Sequence, residues 1–341
     1  MRRSALTLAA LLFATPSAAQ DAAPGALTPI TAEAINAADL ATIPAQYVPP
    51  AATDETGAPL LQRQPDPAVV RLQVLLDRAG ASPGVIDGFD GDNVRKAVIA
   101  LELMLGLPAD GVLDPDLVAA LETGGPVIGE YQLTQQDFDA IGPEIPTDYA
   151  EMATRDYLGY TSLGEELGER FHMHTDLLAA LNPGAAYAVG AHVFVAAYGP
   201  DRAGEVARIE ADKSLRQVRA YDAAGALLVA YPATIGSEDN PSPTGTHIVE
   251  GVAPMPEYTY NPKLNFQQGD NTSVLTIPPG PNGPVGSMWI DLSEPTFGIH
   301  GTPEPSKIDK TASHGCVRLT NWDANELARM VKPGVPVDFV G

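Results

Sequence analysis

The chain contains a single cysteine with two histidines close to it in sequence. Cys316 lies two residues after His314, and His300 lies further upstream. A lone thiol has no partner for a structural disulfide, whereas a thiolate beside an imidazole is a nucleophile. An ordinary thiol has a pKa of about 8.5, so little of it is thiolate at neutral pH, and a nearby imidazole can take the proton or form an ion pair with the thiolate in advance. These residue types predict acyl transfer through a cysteine nucleophile.

The two histidines differ in how they can reach the sulfur. His314 is a near neighbour of Cys316, and close sequence neighbours seldom align well for proton transfer. His300 belongs to another segment and can approach the sulfur from across a cleft. We therefore assign His300 as the general base and His314 as an orienting residue in the wall of the site.

Residues beside Cys316 could complete such a site. Gly315 allows a sharp backbone turn, so that the N–H groups of Gly315 and Cys316 could bind the oxyanion of a tetrahedral intermediate. Loss of one such donor typically costs about 3 kcal/mol. Arg318 could bind a substrate carboxylate, or tie the loop structurally.

Composition and the first residues bound the class of protein. The formal net charge of -23 argues against a nucleic-acid partner and against adsorption to anionic lipid. Residues 1–19 have the basic start, short apolar run and small-residue end of a secretory signal peptide, with a cut before Gln20. No stretch is long enough to span a bilayer, so no transmembrane segment is expected in the mature chain. An uncleaved anchor is the alternative.

The region before the C-terminal domain divides into three parts. Residues 20–64 are rich in Ala, Pro, Thr and Gln and predict a disordered linker. Residues 65–123 predict three helices, of which the first follows Asp66 and the third follows Asp114. Residues 126–203 alternate short helical and extended patterns and are harder to place.

Two resemblances belong to this region. The 65–123 segment resembles the small three-helix peptidoglycan-binding domain, through Leu72-Gln73, Gly84-x-x-Asp87-Gly88, Ala97-Val98 and Gly106-Leu107-x-x-Asp110-Gly111. It departs at Glu102-Leu103, where the family usually has an aromatic residue and Gln, and an unrelated helical bundle is the alternative.

The 126–203 segment is similar to a LysM-type module of strand, two helices and strand, although a plain spacer fits equally. His172 and His174 are spaced as a pair of metal ligands could be, but no third ligand has useful spacing. Together with His192 they are interpreted as surface residues.

The C-terminal part, residues 204–341, predicts a mainly β domain. Short β-type runs alternate with turn signals, as in 217–221, 227–233 and 287–292. One helix is predicted near 322–332, with a cap at Thr320.

Three motifs of this domain resemble the L,D-transpeptidase family, whose catalytic domain is of the YkuD type. They are Ser313-His314-Gly315-Cys316-Val317-Arg318-Leu319, Ile299-His300-Gly301-Thr302 and Ser242-Pro243-Thr244-Gly245-Thr246-His247-Ile248. In the third motif Thr246 stands where the family usually has an aromatic residue.

The resemblance implies a reaction on peptidoglycan stem peptides. The family attacks the bond between diaminopimelate, third in the stem tetrapeptide, and D-Ala, and transfers the acyl group to an amine acceptor as a 3→3 crosslink. No metal or organic cofactor is implied. The Gly301 carbonyl would orient His300, Ser313 belongs to the orienting loop, and Tyr258 and Tyr260 would lie in a substrate-capping loop. Trp289 is a further candidate for the substrate wall, with a core position as the alternative.

Rival functions remain open at this point. Water as the acceptor would give an L,D-carboxypeptidase, and a protein amine would attach an outer-membrane protein to the wall. Two more distant rivals are a non-catalytic wall-binding protein and a zinc site formed by His300, His314 and Cys316. The signal peptide and the implied substrate together predict a periplasmic location.

Overall fold

The computed structural model describes residues 30–44, 64–122, 124–237, 240–264, 266–311, 313 and 315–341. The predicted signal peptide lies outside these residues, as does most of the predicted linker. The helices run in order as α1 Ala32–Asn36, α2 Pro67–Arg78, α3 Asp92–Leu105, α4 Pro115–Leu121, α5 Gln135–Asp139, α6 Tyr149–Met152, α7 Leu163–Arg170, α8 Thr175–Leu181 and α9 Asn321–Met330. The strands run as β1 Ile128–Gln132, β2 His192–Ala196, β3 Arg208–Asp212, β4 Gln217–Tyr221, β5 Leu227–Pro232, β6 Thr234–Ile235, β7 Gly245–Pro254, β8 Tyr258–Tyr260, β9 Leu275–Ile277, β10 Met288–Leu292, β11 Gly298–His300, β12 Val317–Arg318 and β13 Pro336–Val340.

The three helices predicted for residues 65–123 are present as α2, α3 and α4. The Asp66 side chain accepts a hydrogen bond from the first turn of α2, and Asp114 does the same for α4. Helix α3 ends at Gly106, whose φ of 69° is the left-handed conformation that glycine adopts at low cost. Local capping chemistry therefore sets the bounds of this helical domain.

The prediction of a disordered linker is wrong for residues 30–44. Ile35 and Leu40 are fully buried against the helical domain. Arg71 of α2 donates a hydrogen bond to the backbone carbonyl of Asn36 at 3.1 Å. The four buried apolar residues of this segment are Ala32, Ile35, Leu40 and Ile43. Their irregular spacing gives no lasting sequence period, yet they suffice to pack a short segment.

Residues 126–203 form a small module around an antiparallel pair of strands, β1 and β2. Four helices lie between these strands, two of them short. The LysM-like identity of the module stays a prediction.

The interpretation of His172 as a surface residue is wrong. Its ring is stacked between Tyr198, at 3.9 Å, and Trp322, at 5.0 Å. Its Nδ1 lies 2.8 Å from a carboxylate oxygen of Asp77 on α2. The residue therefore joins three parts of the chain, which no local pattern around it indicates.

The expected mainly β domain is confirmed by a nine-stranded mixed sheet in the order β5-β4-β3-β13-β7-β10-β11-β12-β6. Strand β7 is long enough to pair with β13 through its first residues and with β10 through its last ones. Helix α9 begins after the predicted cap, where the Thr320 hydroxyl accepts the N–H of Asp323. Its apolar face joins the core of the sheet, which also buries Ile290 and Ile299.

The modules dock against one another. Ser82, after α2, donates its N–H to the Ala230 carbonyl of β5 at 2.9 Å, and Lys96 of α3 pairs with Asp309 at 2.8 Å. In the part of the chain that the structure describes, no helix has both the length and the apolar character needed to cross a bilayer.

Candidate active site

The two predicted catalytic residues belong to segments that two neighbouring strands bring together. Strands β11 and β12 are parallel partners, with Ile299 opposite Val317 and His300 opposite Arg318. Directly paired residues point to the same face of a sheet, so the His300 and Arg318 side chains share one face. Cys316 immediately precedes β12. The sheet therefore brings together two segments that are separate in sequence.

The sulfur lies over a strained piece of backbone. Cys316 Sγ is 3.7 Å from the carbonyl oxygen of Thr296. Thr296 has a φ of 74°, a left-handed conformation that is a genuine outlier for a β-branched residue. Such strain persists only where the surroundings impose it, and it clusters at functional sites.

Gly315 is required by its surroundings as well as by its backbone. Its φ is 107°, and a Cβ at this position would lie 2.6 Å from the ring of Phe297. Phe297 comes from the segment that also supplies the Thr296 carbonyl. The glycine thus lets the cysteine loop lie directly on that segment.

Ser313 fixes the same loop from the other side. Its hydroxyl donates a 2.7 Å hydrogen bond to the Cys316 carbonyl, and its N–H donates to the Gly236 carbonyl at 3.2 Å. The N–H groups of Gly315 and Cys316 are not bonded to any other described residue, which leaves them available to an oxyanion. His314, predicted as an orienting residue, lies outside the described residues.

The His300 ring is held in one orientation. Its Nδ1 lies 2.7 Å from the Gly301 carbonyl oxygen, which is the contact that the resemblance implied. A carbonyl only accepts, so Nδ1 carries the hydrogen and Nε2 keeps the lone pair that a base needs. Trp289, on β10, stacks on the ring at 5.5 Å and 18°. Trp289 therefore contacts the base, in addition to any role as a substrate wall.

Burial favours the neutral form of both predicted catalytic groups. It lowers the pKa of His300 to about 4, helped by the positive charge of Arg318 and opposed by the backbone groups of Gly301 and Val285. Burial also raises the pKa of the Cys316 thiol, although the Gly298 backbone and Arg318 act in the opposite direction. Both shifts favour a thiol and an imidazole over a thiolate and an imidazolium.

Sequence analysis did not identify Asn321, which packs against Gly301, the residue that follows His300. Its Oδ1 accepts the Ser287 N–H at 2.9 Å, and a Cβ on Gly301 or Gly286 would lie 2.1 Å from that oxygen. Its Nδ2 donates to the Pro281 carbonyl at 3.2 Å. The two glycines could have indicated a close contact at these positions, but the sequence does not show which side chain makes it.

The predicted capping loop lies beside the sulfur. Tyr258 is half-buried and close enough to Cys316 for the thiolate charge to raise its pKa, after the larger effect of burial. Tyr260 was predicted to bind substrate, and this prediction is wrong. None of its side chain is exposed, because it forms the centre of a small apolar cluster with Leu158 and Ile277.

Arg318 is a half-buried cation at the edge of the site. Within the described part of the chain its guanidinium makes no hydrogen bond and no salt bridge. Burial lowers its pKa, and Glu304, Tyr149 and Cys316 oppose that effect. A half-buried guanidinium without an ionic partner is suited to a ligand carboxylate. No group of three or more potential metal ligands is found among the described residues.

Comparisons with known proteins identify two parts of the chain. Residues 207–338 match the YkuD family, described as the L,D-transpeptidase catalytic domain. Residues 65–121 match a family described as "Putative peptidoglycan binding domain". Both families are those that the motifs predicted.

Individual relatives overlap the chain only in part. The "Putative L,D-transpeptidase YkuD" of Bacillus licheniformis is 44% identical over 66 residues, which is 19% of this chain and 40% of the relative. The protein of the same name from Bacillus subtilis is 47% identical over 57 residues, or 17% of this chain and 35% of the relative. The chain thus spans well under half the length of these curated relatives.

A solved structure, an L,D-transpeptidase from Mycobacterium smegmatis, is 17% identical with a TM-score of 0.34, covering 46% of this chain and 76% of that one. The family assignment rests instead on the two domain matches. The chain carries a YkuD-type L,D-transpeptidase catalytic domain, preceded by a helical domain of the peptidoglycan-binding family.

Proposed function

We propose that this protein is a periplasmic L,D-transpeptidase that forms 3→3 crosslinks in peptidoglycan. The observation that carries the proposal is the pairing of β11 with β12, which sets the Cys316 segment beside His300 within a domain that matches the YkuD family. Family membership supports the donor, a stem tetrapeptide cleaved between diaminopimelate and D-Ala. The match of residues 65–121 supports peptidoglycan as the partner.

The geometry supports a neutral-pair mechanism. Nε2 of His300 takes the proton of the Cys316 thiol as the sulfur attacks the diaminopimelate carbonyl carbon. The N–H groups of Gly315 and Cys316 bind the oxyanion. The protonated imidazole then gives its proton to the departing D-Ala amine, and a thioester remains on the sulfur.

The second half of the reaction releases the enzyme. The side-chain amine of another diaminopimelate attacks the thioester, and His300 takes a proton from that amine. Collapse of the second tetrahedral intermediate expels the Cys316 sulfur, which regains a proton. Each step uses only side chains and backbone groups of this chain.

The acceptor is tested by incubating the purified protein with disaccharide-tetrapeptide and resolving the products by mass. Crosslinked dimer with loss of D-Ala supports the proposal. Tripeptide alone would show a carboxypeptidase, and product formed only with an added outer-membrane protein would show wall attachment. If the wild-type protein leaves the tetrapeptide unaltered and no acyl adduct forms on Cys316, acyl transfer is refuted.

Export to the periplasm is part of the proposal, because its substrate lies there. The supporting pattern, in residues 1–19, belongs to the part of the chain that the structure does not describe. Cell fractionation with N-terminal sequencing tests it, and a mature chain that begins at Gln20 is expected. An intact N-terminus on protein found in the cytoplasm would refute it.

A further inference from the structure

The module of residues 126–203 contacts the cap of the active site, which here means residues 258–277 with the predicted capping-loop residues Tyr258 and Tyr260. The Gln268 side chain, in the loop between β8 and β9, makes two of the contacts. Its Nε2 donates to the Thr147 carbonyl at 2.8 Å, and its Oε1 accepts the Tyr149 N–H at 3.1 Å. Asn271 adds a third hydrogen bond, to the Asp148 carboxylate, at 3.1 Å. Three consecutive residues of the module, 147–149, thus hold the cap.

The ring of Tyr149 fills the centre of this contact. It meets Tyr260 edge-on at 5.3 Å and Tyr258 at 6.0 Å. Phe266 lies at 6.1 Å in a similar edge-on arrangement. The three tyrosines belong to an apolar cluster separate from the core of the catalytic sheet, with Leu158 of the same module as Tyr149 fully buried in it. The cap therefore packs on the preceding module rather than on the catalytic core.

Tyr149 is also influenced by a charged residue of the candidate site. Burial raises its pKa to about 12, and the nearby charge of Arg318 opposes that shift. The phenol is therefore protonated at neutral pH and can donate a hydrogen bond. Tyr258, which packs on Tyr149, is in turn close to Cys316. One aromatic side chain from outside the matched catalytic domain thus contacts the cap and is close enough to Arg318 to be affected by its charge.

We propose that Tyr149 is a positioning residue of the acyl-transfer site. Together with the contacts of residues 147–149, it holds the cap over Cys316. Its ring packs against Tyr258 and Tyr260 of that cap, on the side of the site where Arg318 would bind a carboxylate of the donor peptide. The inference rests on the proposed function for the identity of this ligand, and it makes the module of residues 126–203 a part of the active site rather than a spacer.

The test compares four variants of the full-length chain: Tyr149→Ala, Tyr149→Phe, Gln268→Ala and Tyr187→Ala. Tyr187 is the matched control, because it lies in the same module and is 43% exposed. We expect Tyr149→Ala to raise KM for the tetrapeptide donor about tenfold, since it removes several edge-on aromatic contacts. The kcat value should change much less. Tyr149→Phe should restore most of the binding, and Tyr187→Ala should match the wild type.

Two readouts do not depend on peptidoglycan chemistry. Hydrogen exchange over residues 258–277 should speed up in Tyr149→Ala and Gln268→Ala, because both loosen the cap. Alkylation of Cys316 by iodoacetamide should also speed up in both. Neither rate should change in Tyr187→Ala. Circular dichroism checks the fold, and if Tyr149→Ala does not fold, Gln268→Ala decides the question, since it keeps the aromatic ring.

The outcomes separate this inference from the proposed function. Wild-type protein that turns over tetrapeptide, with Tyr149→Ala indistinguishable from Tyr187→Ala in KM, exchange and alkylation, would overturn the inference alone. Wild-type protein without turnover would overturn the proposed function, while the exchange and alkylation rates would still decide whether the module holds the cap.

Discussion

His300 and Arg318 are direct partners across the parallel strands β11 and β12, so that a cation shares the face of the sheet on which the base lies. The positive charge adds to burial in lowering the pKa of the imidazole to about 4. An imidazole in this setting remains a base across the whole neutral range. Arg318 thus has a second consequence besides its fit to a carboxylate, namely that its charge disfavours the imidazolium form of His300.

The neutral resting pair predicts the pH dependence of thiol reactivity. His300 binds a proton only below about pH 4, and the raised pKa of Cys316 delays thiolate formation to alkaline pH. The alkylation rate of Cys316 by iodoacetamide should therefore be low at neutral pH and rise steeply above it. Mass spectrometry of the intact chain measures this rate. A plateau of fast alkylation between about pH 5 and about 8 would indicate a thiolate–imidazolium pair instead.

The neutral state of His300 also predicts how kcat/KM falls on the acidic side of the pH profile. The rate constant kcat/KM should fall only as His300 becomes protonated, near pH 4 rather than near the ordinary imidazole value of about 6.5. Arg318→Gln removes the nearby positive charge and should move this limb to higher pH. An unchanged limb in that variant would contradict the electrostatic contribution of Arg318.

Removal of the catalytic groups should separate their roles. Cys316→Ala should abolish turnover and the covalent adduct with a carbapenem, whose strained carbonyl resembles the scissile amide. His300→Ala should lower kcat by about a hundredfold to ten-thousandfold, as expected for loss of a general base. His314→Ala is expected to retain part of the activity. The exposed His192 provides the control, and a larger loss in His314→Ala than in His300→Ala would exchange their roles.

The cysteine loop should not tolerate a side chain at position 315. Gly315→Ala combines an unfavourable φ of 107° with a Cβ 2.6 Å from the Phe297 ring. We expect it to lower the free energy of unfolding by about 2–3 kcal/mol, and turnover with it. Gly225→Ala is the matched control, because Gly225 also has a positive φ, 83°, but has open space around it. Equal losses in urea denaturation of the two variants would show that the Phe297 contact has no effect.

A buried carboxyl in α9 should make stability depend on pH. Asp323 is buried, and burial followed by the charge of Asp77 raises its pKa well above the ordinary value. A carboxyl whose folded pKa is raised favours folding below its unfolded pKa of about 3.9, and this contribution is lost as pH rises through the folded value. We therefore expect Asp323→Asn to stabilise the protein at neutral pH by about 1–3 kcal/mol and by less near pH 4.

Urea denaturation at both pH values measures the effect of Asp323→Asn. The exposed Asp156 gives the control, since Asp156→Asn should leave stability nearly unchanged at either pH. A loss of stability at neutral pH in Asp323→Asn would show that the carboxylate form makes contacts worth more than its desolvation.

Sequence alone predicted the features that depend on local chemistry. The caps at Asp66, Asp114 and Thr320 each begin a helix where predicted, because a short side chain binds the next free N–H groups. The motif around Cys316 likewise indicated the domain family, since its residue types serve one reaction.

Contacts between distant segments could not be predicted in this way. Tyr149 packs under the cap and His172 stacks on Trp322, although nothing near either residue in sequence indicates a partner. Tyr260 was misplaced for a related reason. Its own segment gave no sign of the module that covers it.

The ion pair between Lys96 and Asp309 has a mechanical consequence. Asp309 belongs to the stretch that joins His300 to Cys316, and Arg216 holds it from the other side. This ion pair fixes the helical domain to the segment between His300 and Cys316, the two proposed catalytic residues. If the helical domain binds the wall, the Cys316 sulfur would lie at a fixed distance from the bound wall. New bonds would then form at a spacing set by the dimensions of the molecule itself.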